Sequence, residues 1–221
     1  MIRLNVLVEG RTELNFVRDV LAAHLANNGI VASPRAIQTS VRRGKIHRGG
    51  VVTFGKVDAD IHRTLASDTT AYLTTMFDLY CLPHAFPGYE TSRDIADPFK
   101  RVDHLERNLA EVVGSPRFIP YLQLHEFEAL LFSDVGTIDA TLEPYSSESK
   151  IEELRMIADR YDTPEHIDDN QPPSVRLKEL FPSYDKAALG TVIISRIGLD
   201  HARQDCHHFD QWISKLEALS G

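Results

Sequence analysis

The opening stretch constrains this chain more than any other feature. Ile2 to Val8 is strongly apolar and holds no turn residue. Leu4, Val6, Leu7 and Val8 suit a strand buried on both faces, as in a parallel sheet. Glu9 follows directly, and Gly10 ends the strand. Thr12 is placed to cap a helix. Leu14, Val17, Leu21 and Leu25 then recur at helical spacing until Asn27-Asn28-Gly29 stops the run. The unit reads as strand, tight turn, helix, with an acid at the turn.

The rest of the chain extends that alternation. Lys56 to Ala66 has Val57, Ile61 and Leu65 on one helical face. Thr70 to Phe77 reads as a second central strand, leading into Asp78-Leu79-Tyr80 and a Pro/Gly-rich loop, Leu82 to Gly88. Asp97-Pro98 gives a cap followed by proline at the first helical position. The apolar face behind it is Phe99, Val102, Leu105, Leu109 and Val112. Phe118 to Leu124 reads as a third strand, with Pro120 indicating an edge or a bulge. After Asp134 the pattern is helical, interrupted by Pro164, Pro172-Pro173, Pro182 and Gly198. The expected fold is α/β, a mostly parallel central sheet flanked by helices. Residues 1–134 would form the α/β core, and residues 135–221 a mainly helical C-terminal lobe packed on it.

Several classes are disfavoured. No run of about 18 apolar residues exists to span a membrane, and the N-terminus lacks the pattern of a signal peptide. Two cysteines, Cys81 and Cys206, do not make a disulfide scaffold. A cytoplasmic setting is expected. No Walker loop for ATP and no Gly-x-Ser-x-Gly elbow occur. His201, Cys206, His207 and His208 fit no standard zinc spacing, so a packed helix bearing Phe209, Trp212 and Leu216 is the expectation there.

The net charge of -8 argues against a surface coated for unspecific DNA binding. The distribution is uneven. Arg35, Arg42, Arg43, Lys45 and Arg48 form a basic segment without an acid, and Asp134 to Asp169 is strongly acidic. Arg42, Arg43, Lys45 and Arg48 are candidate phosphate contacts along a nucleic-acid backbone, and a solvated loop is the plain alternative.

Three acidic clusters share one kind of location. Glu9 ends the first strand, with Glu13 in the next helix turn; Asp78 ends the second central strand; Glu126 and Glu128 follow the third. Ligands of open parallel sheets bind beyond the carboxyl ends of the strands. Converging carboxylates repel, and a divalent cation relieves that repulsion. Hard oxygen ligands favour Mg²⁺ or Mn²⁺, which implies metal-assisted phosphoryl or phosphodiester chemistry. Glu13 could instead serve the helix dipole, Asp78 a turn, and Glu126 and Glu128 an exposed helix start. Lys186 and Arg176 are candidates for phosphate contact or for stabilising transition-state charge.

These residues resemble a known superfamily. Val8-Glu9-Gly10-Arg11-Thr12-Glu13 looks like the opening signature of Toprim domains in overcoming-lysogenization-defect (OLD) nucleases. More specifically, the chain resembles domain-of-unknown-function family 4276. The stretches that carry this are Val8 to Glu13, Phe77 to Tyr80, Phe86-Pro87-Gly88, Leu124 to Asp134, Ile197-Gly198-Leu199-Asp200 and His207-His208-Phe209-x-x-Trp212. The resemblance implies a Toprim-like fold, Mg²⁺ dependence and nuclease chemistry on DNA or RNA. Glu9 would be a metal ligand or general acid/base, and Asp78 a metal ligand. It also implies an ATPase partner of the ATP-binding-cassette type and a role in anti-phage defence, and leaves room for a homo-oligomer. The second motif departs from Asp-x-Asp, because Tyr80 stands at the second acid. Glu126 or Glu128 could supply the missing carboxylate, and one metal, or a second bound only with substrate, is equally consistent. The alternative expectation is an inactive Toprim-like binding subunit of an ATPase complex.

Overall fold

The computed structural model describes residues 1–37, 53–146, 148–167 and 171–221. Strand β1 (Ile2–Val8) is buried from Leu4 onward. Helix α1 (Arg11–Phe16) runs through a π-helical turn, Val17–Leu21, into α2 (Ala22–Ala26). Gly29, at φ +72°, turns the chain back in the left-handed conformation glycine adopts without a Cβ penalty. It enters β2 (Ile30–Ala36), a strand that ends where the basic segment, read as a loop with room for a short strand, begins. Pro34 hides it, yet proline is tolerated because β2 lies at the sheet edge.

Helix α3 (Phe54–Ser67), strand β3 (Tyr72–Asp78) and a 3₁₀ turn, Leu79–Cys81, follow. A single helical turn, α4 (Tyr89–Ser92), precedes α5 (Pro98–Val113), whose N-terminus is capped by the Asp97 carboxylate accepting from the amides of Phe99 and Lys100. The third strand is split at Pro120 into β4 (Phe118–Ile119) and β5 (Leu122–Gln123). A β3 side chain repairs the break. Thr75 Oγ1 accepts from the Tyr121 amide and donates to the Tyr121 carbonyl, both at 2.9 Å.

The chain then turns helical: a 3₁₀ segment Phe127–Ser133, α6 (Val135–Leu142), α7 (Ile151–Ala158) and α8 (Pro173–Leu180). A π-helical segment Lys186–Gly190 leads into α9 (Thr191–Ile197), α10 (Leu199–Asp205) and α11 (His207–Glu217). Among the described residues no helix is long and apolar enough to cross a membrane.

The sheet runs β2-β1-β3-β4, parallel throughout, with β5 also paired to β3. Both faces are covered. Leu4, Val6, Val8 and Met76 pack with Phe16, Leu21, Ile193, Ile194, Phe209 and Trp212. Leu7, Leu73 and Phe77 pack with Ile61, Leu65, Leu105 and Leu109 on the other side. Trp212 anchors α11. Its ring stacks on Tyr121 at 4.1 Å, and its indole N–H donates to Thr74 Oγ1 at 2.9 Å. Truncating so buried an aromatic costs ~3–5 kcal/mol. β1 has its chain successor β2 on one flank and β3 on the other. The strand order therefore reverses between β1 and β3, the position at which open parallel sheets bind their ligands.

Candidate functional site

Glu9 and Asp78 stand on either side of that reversal. β1 and β3 pair in parallel with Val8 opposite Met76, so both strands deliver an acid at the same edge. β5 pairs Gln123 with Asp78, which brings Glu126 and Glu128 to the same edge.

The first turn is shaped by Glu13. Gly10 occupies the cap position in an extended conformation, φ −126°, and no side chain caps α1; Thr12, expected there, does not. Instead the Glu13 carboxyl lies folded back beside Gly10. A Cβ on Gly10 would stand 2.7 Å from Glu13 Oε2. A larger residue here would push the Glu13 carboxyl aside, whereas the backbone conformation itself does not call for glycine. Glu13 Oε2 is buried with no hydrogen-bond partner among the described residues. Burial raises the Glu13 pKa; its own amide, Lys186 and the Gly10 amide oppose the rise, and Glu126 adds to it. Glu9 keeps a water-facing side. Protein atoms behind its carboxyl, and secondarily Glu13, raise its pKa to about 7. Its contact with water argues for a smaller lift than a sealed group would show.

Asp78 closes β3. Its Oδ1 is buried and unpartnered among the described residues. Burial first, then Glu13 and Glu128, push its pKa well above the ordinary value; Lys186 opposes this and Glu9 adds to it. Four site residues therefore act electrostatically on one carboxyl.

His125, at φ +59°, is the one non-glycine residue with positive φ among those described, and it turns the chain from β5 into the next acids. Glu126 is extended and accepts from the Ser174 amide at the start of α8, from Ser174 Oγ at 3.0 Å and from Lys186 Nζ at 2.9 Å. Glu128 is fully buried. Its Oε1 accepts from the Tyr184 hydroxyl at 3.3 Å, and its Oε2 lies 2.9 Å from Lys186 Nζ. The plain alternative of an exposed helix start is overturned here, because the 3₁₀ segment is a core element. Burial raises Glu128 to about 7 although Lys186 pulls it down. Desolvation would lower the Lys186 ammonium, but Glu128 and Glu126 outweigh it and the pKa is raised.

Glu9, Glu13, Asp78, Glu126, Glu128 and Lys186 thus meet at one sheet edge. The carboxylates do not already form a cage: among the described residues no three His, Cys, Asp or Glu side chains are spaced to grip an ion directly. Lys186 bridges Glu126 and Glu128 instead. Arg176, weighed as a phosphate contact, is buried and committed to the Gln171 carbonyl at 2.7 Å and the Tyr161 hydroxyl at 3.0 Å. Tyr80 is 67% exposed and stands outside the acidic cluster's contacts. Arg42, Arg43, Lys45 and Arg48 lie outside the described residues. Ser174 and Tyr184 were not anticipated. Tyr184 lies two residues before Lys186, and Ser174 follows Pro172-Pro173 at a helix start, a position that presents free amides to an acid. At the C-terminus, His208 is spent inside the protein, with Nε2 3.0 Å from Glu106 Oε1.

The model of a domain-of-unknown-function family, DUF4276, matches residues 8–217. A solved C-terminal region of the Burkholderia pseudomallei OLD protein is 15% identical, with a TM-score of 0.51 and 100% of each chain covered. A C-terminal region of the Xanthomonas campestris pv. campestris OLD protein, phased with iodine, is 15% identical with a TM-score of 0.43 and 97% of each chain covered. Comparison with curated proteins gives no match. Both halves of the resemblance read from the sequence are met: the family by its model, and the OLD likeness at the level of fold.

Proposed function

Starting from a chain that belongs to the DUF4276 family and has the fold of an OLD C-terminal region, we propose a Mg²⁺- or Mn²⁺-dependent nuclease that hydrolyses phosphodiester bonds in DNA or RNA. One observation carries the reading: buried carboxylate oxygens of Glu13 and Asp78 lack partners beside Glu9, at a strand-order reversal. Unpaired buried carboxylates cost free energy that a cation offsets. The donor set is all hard oxygen, which suits Mg²⁺ or Mn²⁺. Glu9, Glu13 and Asp78 would hold the ion, with Glu126 and Glu128 supplying further oxygens. When bound, it would supply Lewis-acid polarisation of a phosphoryl oxygen and acidify its water.

The chain's own residues divide the remaining work. The Lys186 ammonium is held at the mouth of the cluster by Glu126 and Glu128. It offers positive charge to the extra negative charge of a phosphodiester transition state. Ser174 and Tyr184 fix the two glutamates that position it. Glu9, with a raised pKa and contact with water, is placed to accept or return a proton near neutral pH. In this reading residues 1–134 form the core that carries the acids, and residues 135–221 the helical region that supplies Lys186 and Ser174. The wider proposal, from the family resemblance, is an anti-phage effector working with an ATP-binding-cassette ATPase in the cytoplasm.

The test is cleavage of labelled DNA and RNA in Mg²⁺, Mn²⁺ and EDTA by wild type, Glu9→Gln and Asp78→Asn. The wild type should cut only with metal, and both variants should lose cutting while keeping their circular dichroism spectrum. Wild-type rates in both variants would remove the site assignment. One observation favours a second reading. Tyr80, where a second acid was expected, is exposed and adds no carboxylate. An inactive subunit that docks on the ATPase would bind no divalent cation with or without nucleic acid.

A further inference from the structure

A cavity of about 370 Å³ that the reading above does not use is lined by chain neighbours of Asp78 and Glu126. Its wall begins where two acid-bearing loops leave the site. Leu79 and Tyr80 follow Asp78, and His125 precedes Glu126. The Tyr80 amide donates to the His125 carbonyl at 3.3 Å and ties these loops together. Tyr89, Arg101 and His166 complete the wall on the far side.

The lining has two chemistries. Tyr80 and Tyr89 supply aromatic rings. Tyr80 leaves two-thirds of its surface to water, 67%, and Tyr89 is backed by the stacked ring of His84 at 4.9 Å. Arg101 supplies a cation. Its Nε donates to Ser92 Oγ at 3.4 Å, and among the described residues no carboxylate pairs with it. His125 holds φ +59° at this wall, a left-handed conformation uncommon outside glycine.

A flat ring beside an anion satisfies both chemistries, and a nucleotide has both parts. Aromatic platforms beside a guanidinium are how single strands are held, because every base offers a π-face. The volume lies at the low end of the ~300–1,000 Å³ typical of small-ligand pockets. That suits one splayed nucleotide and not a paired duplex. We propose that this cavity receives an unpaired nucleotide adjoining the scissile phosphodiester, with its base against Tyr80 and Tyr89 and its phosphate at Arg101, so that the protein selects single-stranded nucleic acid. The placement relative to a scissile bond rests on the nuclease reading; the binding preference does not.

Fluorescence anisotropy tests it, with a short labelled oligothymidylate and its duplex with oligoadenylate, in Ca²⁺. The wild type should bind the single strand at least about 10-fold more tightly than the duplex. Tyr80→Ala should weaken single-strand binding about 10-fold, the scale of one lost stacking contact, while Tyr80→Phe keeps it. Arg101→Gln should weaken it too and flatten its salt dependence. Equal affinity for strand and duplex, no binding, or single-strand affinity indifferent to Tyr80→Ala overturns the subsite. The two readings fail separately. Cutting in Mg²⁺ with Tyr80-independent binding sinks the subsite alone. Tyr80-dependent binding without cutting in Mg²⁺ or Mn²⁺ supports the subsite and sinks the nuclease.

Discussion

Replacing Lys186 by methionine should destabilise the metal-free protein in a strongly pH-dependent way. The ammonium lies 2.9 Å from both Glu126 and Glu128. Glu128 is fully buried, and the Lys186 side chain is 43% exposed. Removing one partner of a buried pair costs ~3–5 kcal/mol, and an exposed pair contributes ~0–1 kcal/mol. One sealed partner and one half-wet partner place the loss at about 2 kcal/mol near pH 8. For a chain of 221 residues that is a fall in Tm of about 4–8 °C. The sign follows from the Glu128 carboxyl, raised from 4.5 to about 7. A group raised on folding contributes stability that is fully present below its unfolded value and is lost as pH rises through its folded value. Without Lys186 the folded value rises further. The deficit should therefore be near zero at about pH 4.5 and widen toward pH 8. Thermal unfolding followed by circular dichroism, in EDTA, measures it. A variant that melts with wild type at pH 8, or loses the same amount at both pH values, would refute a Lys186 that compensates buried charge.

Two further outcomes are expected. Asp78→Asn should raise the Tm of the metal-free protein above neutral pH, because it removes a buried charge with an unpartnered oxygen, and it should abolish any stabilisation by Mg²⁺; an unchanged Mg²⁺ response by differential scanning fluorimetry contradicts this. Glu106→Gln should erase a separate pH dependence. Burial tends to lower His208, but Glu106 raises its pKa overall, so the pair's stability is fully present below the ordinary 6.5 and lost as pH rises through the folded value. The variant's melting curve should be flatter than wild type across that window, and parallel curves refute the pair.

Much of the site was legible because its residues sit where the backbone pattern changes. Glu9 follows a doubly buried strand, Asp78 ends another, and strand ends of a parallel sheet converge. The carboxyl-edge placement could thus be read without coordinates. The apolar periodicity that places α5 and α11 was equally plain. What the sequence hid came from tertiary context. β2 alternates too weakly to announce itself, because an edge strand buries only one face and contains Pro34. That Glu128 is buried and not on a solvated helix start could not be told from sequence, since a 3₁₀ segment inside the core has no signature distinct from a surface one. Ser174 and Tyr184 reach Glu126 and Glu128 across 48 and 56 residues, and no local pattern reports such contacts. Thr12 looked like a cap, but Gly10 holds the cap position and no side chain caps α1. Arg176 was an arginine like any other until its two hydrogen bonds turned inward.

The central claim is that the acids at the ends of β1 and β3 form a divalent-cation site. Calorimetric titration of Mn²⁺ into the wild type and into Asp78→Asn, with a nucleic-acid oligomer present and absent, tests it most directly. The wild type should bind saturably, with proton release as Glu9 and Asp78 ionise, and Asp78→Asn should not bind. Equal binding by both proteins, or no binding by the wild type even with the oligomer, would contradict it.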